Sequence, residues 1–466
     1  GFDSFLHKTP SSSLITVCPS CNLTQIKKGK VICDDCKEHK TIGEYLPETN
    51  ALVVISGSHV KQPANILESI SFGKFGKIYL LSKPDSTILN TDETGYIEQV
   101  AGDLNQTSVR GFYNFSNVLP VAKKDMFLET EKGEEDEQGK IRKGQTFSFN
   151  TIADMATGDK KLGILKMDVD NLGLTFSLGL KDSGISRIAT LSRQLSYFFT
   201  HIVVNSCNEI EKEWKEGKNK SDWGERVGYD NDAVSNIFYI VFSGGDDLFI
   251  VGPWDRIIDL AVLIRKKFKD FTCHNPNLTI SAGIFTCKAK YPIPLAAQSA
   301  EESLEKSKKS SKNRITVFGE TTVWDYEDKS NNRIANMDLF EKYEICREEI
   351  FRKDLNKWEP EEYIFPFSRL SDFHKKLLEF DKDDMMPRSF VYRLLEGKKK
   401  YFPVEYNFEK SQYEETHDLM IYPYLFYFMN RNLKEEARKA IKSDTIRLIR
   451  QIRIPAIMFL MKTRQK

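Results

Sequence analysis

No stretch of about eighteen apolar residues occurs in this 466-residue chain, and no signal peptide opens it. Neither a membrane span nor secretion is expected, and the implied compartment is the cytoplasm. Net charge is scarce as well: Lys+Arg 68 against Asp+Glu 67 leaves +1. Bulk charge therefore does not announce nucleic acid, and any basic surface must be local. Cysteine is sparse, and Cys207, Cys273, Cys287 and Cys346 are scattered in apolar or helical contexts, where buried inert thiols are expected. The 29% charged and 40% hydrophobic content is ordinary for a globular protein with room for two or three domains. The chain opens on Gly1 rather than Met, and is read as a fragment or a processed chain.

The residues that are present concentrate in one stretch. Ser235 to Phe242 reads as a buried, apolar strand, and Leu248 to Val251 as a second. Gly244-Gly245-Asp246-Asp247 is then a tight hairpin, its glycines supplying positive φ and close backbone approach. Two adjacent carboxylates repel each other, and turning a chain does not require both. Hard divalent cations carrying phosphate would explain them, although on its own the stretch equally fits a Gly-Asp turn with a solvated second acid. A second segment tips the balance. Lys161 to Gly173 is a strand whose end carries Asp168 and Asp170, on one face by the period of two. An antiparallel neighbour ending in Asp246-Asp247 would gather three or four carboxylates, a cluster that needs cations and implies two-metal phosphoryl or nucleotidyl transfer.

A strand ending Asp-x-Asp followed by a Gly-Gly-Asp-Asp hairpin resembles the palm of nucleotide cyclases, diguanylate cyclases and polymerases. The wording MDVDNLG and then FSGGDDLF, continued by Leu278 to Ile284, the helix Ala296 to Lys308 and Lys312 to Ile315, is more narrowly similar to the large subunit of type III (Csm-type) CRISPR effector complexes, the cyclic oligoadenylate synthase. The resemblance implies ATP as substrate and Mg2+ or Mn2+ held by Asp168, Asp246 and Asp247. It places Ser243, Gly244 and Gly245 at the nucleotide, and Lys308 and Lys312 where similar cyclases bind phosphate. As plain sequence, Ser243 is equally a strand-end serine and the lysines a solvated helix end. Diguanylate cyclases carry Phe-Lys and Asn-Asp after the first acids, and Asn171 to Phe176 has neither, which argues against GTP. The implied partners are the other type III CRISPR subunits, especially the small subunit and the crRNA 5′-end-binding subunit, with crRNA and target RNA, and no membrane. The full large subunit begins with an HD nuclease domain and a degenerate first palm that completes the ATP site. Here His417-Asp418 is a lone pair, and no DNase activity is expected.

The expected fold is α+β: a ferredoxin-like polymerase/cyclase palm at 151–330, a zinc module at 1–44, a β-rich linker domain at 45–150 and a C-terminal helical bundle at 331–466. Cys18-x-x-Cys21 and Cys33-x-x-Cys36 suit tetrahedral structural Zn2+, with redox or disulfide pairs as the weaker option. Strands are expected at Ala51–Ile55 and Lys77–Leu81 with a helix over Ala64–Ser71 between them, and an exposed acidic loop over Glu129–Glu137. Lys74, Lys77, Arg110, Lys123 and Lys124 read as solvated surface that could touch RNA phosphates. Periodicity predicts a long amphipathic helix over Ile185–Trp214, a polar insertion over Lys215–Asp232, and helices over Asp255–Phe271 and Leu295–Ser310. Lys398-Lys399-Lys400 is one basic cluster of the bundle. A second is a helix face carrying Arg447, Arg450 and Arg453. A non-enzymatic RNA-scaffold subunit and a stand-alone diguanylate-cyclase-like enzyme are the competing functions.

Overall fold

The computed structural model describes residues 17–21, 24–26, 31–45, 49, 51–56, 62–72, 76–83, 96–101, 118–132, 139–179, 184–217, 220–325, 365–402, 404–407, 412–415 and 420–464. It forms two compact units. The first comprises Gly1–Lys166, Gly173–Phe271 and Thr286–Glu301, and the second Met167–Leu172, Thr272–Phe285 and Glu302–Lys466.

The first unit opens with helix Asp34–Tyr45 and four strands, β1 (Ala51–Ser56), β2 (Ile66–Ser71), β3 (Lys77–Leu81) and β4 (Tyr96–Ala101). They form an antiparallel sheet in the order β2-β3-β1-β4. Ala51, Val53 and Ile55 alternate into its core against Tyr79 and Leu81, the period of two that a half-buried strand requires. The helix expected over Ala64–Ser71 is instead β2. Ser69, Ile70 and Ser71 are weak helix formers, a helix this short is marginal alone, and the open edge of β3 takes up the backbone groups.

The short strands β5 (Val121–Ala122), β6 (Met126–Phe127) and β7 (Lys140–Ile141) follow. Part of the expected acidic loop, Glu129–Glu131, is a helical turn. Glu131 accepts hydrogen bonds at 2.9 Å from both the backbone N–H and the hydroxyl of Ser148, the N-cap of helix Phe149–Asp154. Next comes β8 (Leu162–Val169), whose burial is almost continuous until Lys166.

Helix Ile185–Tyr197 passes through a π turn at Phe198–Ile202 into helix Val203–Glu216. The expected helix is there, but its apolar face is buried only from Leu195 onward; Ile185 and Ile188 are exposed. The Lys215–Asp232 stretch is more than a polar insertion. It contains a short helix, Trp223–Val227, whose Trp223 is fully buried with its ring centroid 5.9 Å from that of Trp214.

The expected Ser235–Phe242 strand breaks at Asn236, whose φ is 62°. It gives β9 (Val234–Ser235) and β10 (Tyr239–Gly244). After the hairpin, β11 (Asp247–Pro253) leads into helix Trp254–Phe271, which buries Ile257, Ile258, Leu260, Ile264 and Phe268.

In the second unit, β12 (Ile280–Cys287) runs parallel to β13 (Arg314–Val317), which pairs antiparallel with β14 (Glu320–Val323). In the first unit β10 pairs antiparallel with β11. A helical bundle follows: Phe367–Lys382, Arg388–Tyr401, Ile421–Asn432, Glu435–Leu448 and Arg453–Lys462. The hairpin of β15 (Val404–Asn407) and β16 (Gln412–Glu415) is inserted between the second and third of these helices. Phe373, Phe390, Leu425, Ile441 and Phe459 fill the bundle core.

The stretch that carries Arg447, Arg450 and Arg453 is not one α-helix: a 3₁₀ turn at Ile449–Gln451 separates helix Glu435–Leu448 from helix Arg453–Lys462. Pro455 lies in the first turn of the second, and its ring would clash with the Gln451 carbonyl in a continuous helix. Gln451 turns inward instead. Its Oε1 accepts from the Phe365 N–H at 2.7 Å, and its Nε2 donates to the Thr322 hydroxyl at 3.1 Å. Lys74, Arg110, Cys346 and His417-Asp418 lie outside the described residues.

Candidate nucleotidyl-transfer site and metal centre

Strand β8 delivers the first acids. Lys166 and Asp168 are half-buried, while Met167 and Val169 are buried, so the pleat turns Asp168 away from the core side of the strand. The Asp168 Oδ2 lies 3.0 Å from the Lys308 ammonium. Lys308 sits in the last turn of helix Ile293–Lys309, where cations complement the helix dipole, and also lies 3.6 Å from Glu305.

Asp170 differs sharply from Asp168. It is 1% exposed, and its carboxylate accepts from the Thr279 hydroxyl at 2.8 Å, the Ser281 hydroxyl at 2.7 Å and the Asn313 backbone N–H at 2.9 Å. Its own N–H donates to the Thr279 carbonyl at 2.8 Å. Asp170, one of the acids expected to gather with Asp246-Asp247, is thus held by hydrogen-bond donors inside the fold.

The turn that reaches Asp170 is unusual. Ser311, Lys312 and Asn313 have φ of 78°, 60° and 48°, each about 1 kcal/mol or more unfavourable for a residue with a Cβ. The turn is held by the Lys312 N–H donating to the Ser307 carbonyl at 3.2 Å and by the Lys312 ammonium donating to the Asn171 side-chain oxygen. Below it, the buried Ser307 hydroxyl donates to the Ala282 carbonyl and meets Thr316, both at 2.7 Å. Lys308 and Lys312, paired in the sequence reading as phosphate ligands, thus stand beside Asp168 and Asn171 respectively.

The other acids sit on the hairpin of the first unit. Gly244 pairs with Asp247, leaving Gly245 and Asp246 as a two-residue loop. Gly245 has φ of 67°, the positive value that a tight hairpin wants at its first central position. A bulge between Ile240 and Phe242 re-aims the strand before the turn. Ser243 is buried, and its hydroxyl donates to the Phe199 carbonyl in the π turn at 2.6 Å. Donating to a nucleotide would therefore require Ser243 to give up this bond.

The four N-terminal thiols converge. Cys18, Cys21, Cys33 and Cys36 offer sulfurs all within 4.8 Å of one another. The Cys33 N–H donates to the Cys18 sulfur at 3.3 Å, and the Cys36 N–H to the Cys33 sulfur at 3.4 Å. Burial opposes ionisation of Cys18, but N–H groups of Cys21, Cys33 and Ser20 outweigh it and hold the thiol below its ordinary value. Burial together with the neighbouring thiols pushes Cys36 up to about 12. Four soft donors in one cluster fit a tetrahedral metal such as zinc. Cys207 and Cys287 are buried, as expected, whereas Cys273 is exposed. Among the described residues no helix is long and apolar enough to cross a membrane.

Residues 161–316 match the second palm domain of Cas10/Cmr2. This stretch is thus similar to that palm domain, as the motifs led one to expect. A CRISPR system single-strand-specific deoxyribonuclease Cas10/Csm1 (subtype III-A) of Methanocaldococcus jannaschii is 41% identical over 203 residues, covering 39% of this chain and 23% of that protein. Its counterpart in Enterococcus italicus is 35% identical over 169 residues, covering 36% and 19%. The matched stretch therefore spans less than a quarter of these curated relatives. Among solved structures, the apo Csm1-Csm4 cassette is similar at 22% identity and a TM-score of 0.49, over 92% of this chain and 50% of that chain.

Sequence reasoning missed the partners of Asp170. Thr279 and Ser281 did carry a signal: two hydroxyls at a spacing of two within an apolar strand, which places both on one face. Asn313 carried none, because its backbone N–H is what bonds.

Proposed function

We propose that this chain supplies the nucleotidyltransferase palm of a type III CRISPR large subunit, joining ATP into cyclic oligoadenylates when target RNA is paired to the guide. The match of residues 161–316 to the Cas10/Cmr2 second palm carries this reading, since the stretch contains both acid motifs. In it, Asp168, Asp246 and Asp247 hold two divalent cations, and the donor set is right for hard ions. Such cations, when bound, lower the pKa of a ribose 3′-hydroxyl and neutralise the triphosphate. Lys308 and Lys312 supply positive charge to the phosphates, Lys308 leaving Asp168 to do so. Gly244 and Gly245 leave room for the nucleotide. The product bond is 3′-5′, formed by in-line attack on an α-phosphate with departure of pyrophosphate, and ring closure repeats that step. The Cys18, Cys21, Cys33 and Cys36 cluster takes structural Zn2+, with no position open to substrate.

The partners in this reading are the other Csm subunits, crRNA and target RNA. The deoxyribonuclease activity in the relatives' name belongs to those proteins, and Asp168, Asp246 and Asp247 are assigned to nucleotidyl transfer alone. The test is incubation with labelled ATP or GTP and Mn2+ or Mg2+, with and without partner subunits, guide and target. Oligoadenylate that forms only in the full complex with target supports the reading. No product with RNA binding intact favours the scaffold, and a GTP product favours the cyclase.

A further inference from the structure

Asp170 stands out among the acids of the second unit. Its carboxylate is buried, yet three donors from two separate segments converge on it: the Thr279 and Ser281 hydroxyls flanking the first residue of β12 and the Asn313 N–H before β13. With its own N–H on the Thr279 carbonyl, Asp170 ties the end of β8 to the Thr279–Ser281 segment and to the turn before β13. The Asn313 N–H closes a run of three left-handed, non-glycine residues, a conformation that persists only where surrounding bonds over-determine it. Lys312 lies inside that run, bonded to Asn171. Lys308 precedes it by a few residues and faces Asp168.

We propose that Asp170 is a positioning residue and not a metal ligand: its carboxylate ties the Ser311–Asn313 turn to the end of β8 and thereby sets Lys308 and Lys312 against Asp168 and Asn171. The inference rests on the nucleotidyl-transfer reading for the role of those lysines, but the tie itself can be tested without it. A metal ligand and a hydrogen-bond acceptor respond differently to amidation. With its oxygen in the Oδ2 place, Asp170→Asn still accepts from the Asn313 N–H and the Thr279 hydroxyl, and its NH2 faces the Ser281 hydroxyl, which can rotate to accept. It discards the charge that a cation would need. Asp170→Ala removes every acceptor and orphans the Asn313 N–H.

The full chain, free and in its complex, is compared as wild type, D170N and D170A. Backbone hydrogen exchange over residues 311–313, Mn2+ affinity by electron paramagnetic resonance and steady-state ATP kinetics are the readouts. Loss of one charge-assisted bond predicts exchange at least about tenfold faster in D170A, with D170N within about threefold of wild type. The KM for ATP is expected to rise about tenfold in D170A with kcat altered less than about threefold, as for lost binding geometry, and to recover in D170N. Mn2+ affinity is expected to stay within about twofold in both. A tenfold fall in Mn2+ affinity in D170N would make Asp170 a metal ligand and overturn the proposal, as would unchanged exchange at 311–313 in D170A. If D170A does not fold, Thr279→Val with Ser281→Ala removes two of the donors that orient the carboxylate; faster exchange at 311–313 then supports the tie, and unchanged exchange overturns it. Absence of product from the wild-type complex would sink the nucleotidyl-transfer reading, while exchange and Mn2+ titration would still decide the role of Asp170.

Discussion

The hairpin glycines allow a conformational requirement to be separated from a requirement for space. A Cβ built on Gly244 meets no atom within 4 Å, and its φ is not in the left-handed range; Gly245 is equally open but has φ of +67°. Among the described residues nothing therefore explains the missing side chain at Gly244, whereas the turn explains it at Gly245. Gly244→Ala is expected to change stability by less than about 0.5 kcal/mol, the range of open surface sites. Gly245→Ala is expected to cost about 1–2 kcal/mol, the penalty of left-handed backbone for a residue with a Cβ. If a nucleotide approaches the hairpin, the Gly244→Ala methyl occupies its space, and product formation should fall at least about tenfold, or about 1.4 kcal/mol in the barrier. The assays are urea unfolding of both variants and oligoadenylate synthesis by the assembled, target-bound complex. A Gly244→Ala protein that keeps both wild-type stability and wild-type turnover would refute the argument that the open position serves a nucleotide. An unchanged unfolding midpoint for Gly245→Ala would refute the turn geometry.

Replacing Asp246 and Asp247 together by Ala should abolish turnover while zinc content, measured by elemental mass spectrometry, stays unchanged; loss of zinc or of solubility would make the acids structural. One zinc per chain is expected, and Cys33→Ser should release it and lower the thermal midpoint, because four converging sulfurs leave no substitute ligand. His374 is buried in the bundle with no hydrogen-bond partner for Nε2; burial, with Lys462 and Lys375 adding to it, pushes its pKa down to about 3 from 6.5. The unfolded chain thus binds the extra proton between those values, so stability should fall as pH drops from 6.5 toward 3 with a slope approaching about 1.4 kcal/mol per pH unit, and be flat above. The difference in unfolding free energy between wild type and His374→Leu at pH 5 and pH 7 isolates this slope, and an identical pH dependence in the two would show that His374 is not the group.

The elements that carry the candidate site were legible where they depend on residue type and local spacing. The strand end with its two acids and the Gly-Gly-Asp-Asp hairpin lie where the sequence puts them, and the paired Cys-x-x-Cys knuckles do converge. The amphipathic period also recovered helix Trp254–Phe271 and the helices flanking the Phe198 π turn. Where the reading failed, a distant segment decided. Ile66–Ser71 became a strand because β3 offered an edge, and Trp223 turned a polar stretch into buried structure because Trp214 stood opposite.

Asp168 and Asp170 show the limit most clearly. They are the same residue type two positions apart on one strand, and the period of two gives them the same face. Their fates diverge through donors 109, 111 and 143 residues away, one of them a backbone N–H with no side-chain signature. A carboxylate that meets three such donors is fixed in place. One that faces a lysine across 3.0 Å at a half-exposed site remains able to exchange that partner for another cation. On this argument the division of labour between the two acids is set by the start of β12 and by the left-handed turn before β13. Transplanting Thr279, Ser281 and that turn should carry the positioning role with them, whatever acid stands at the strand end.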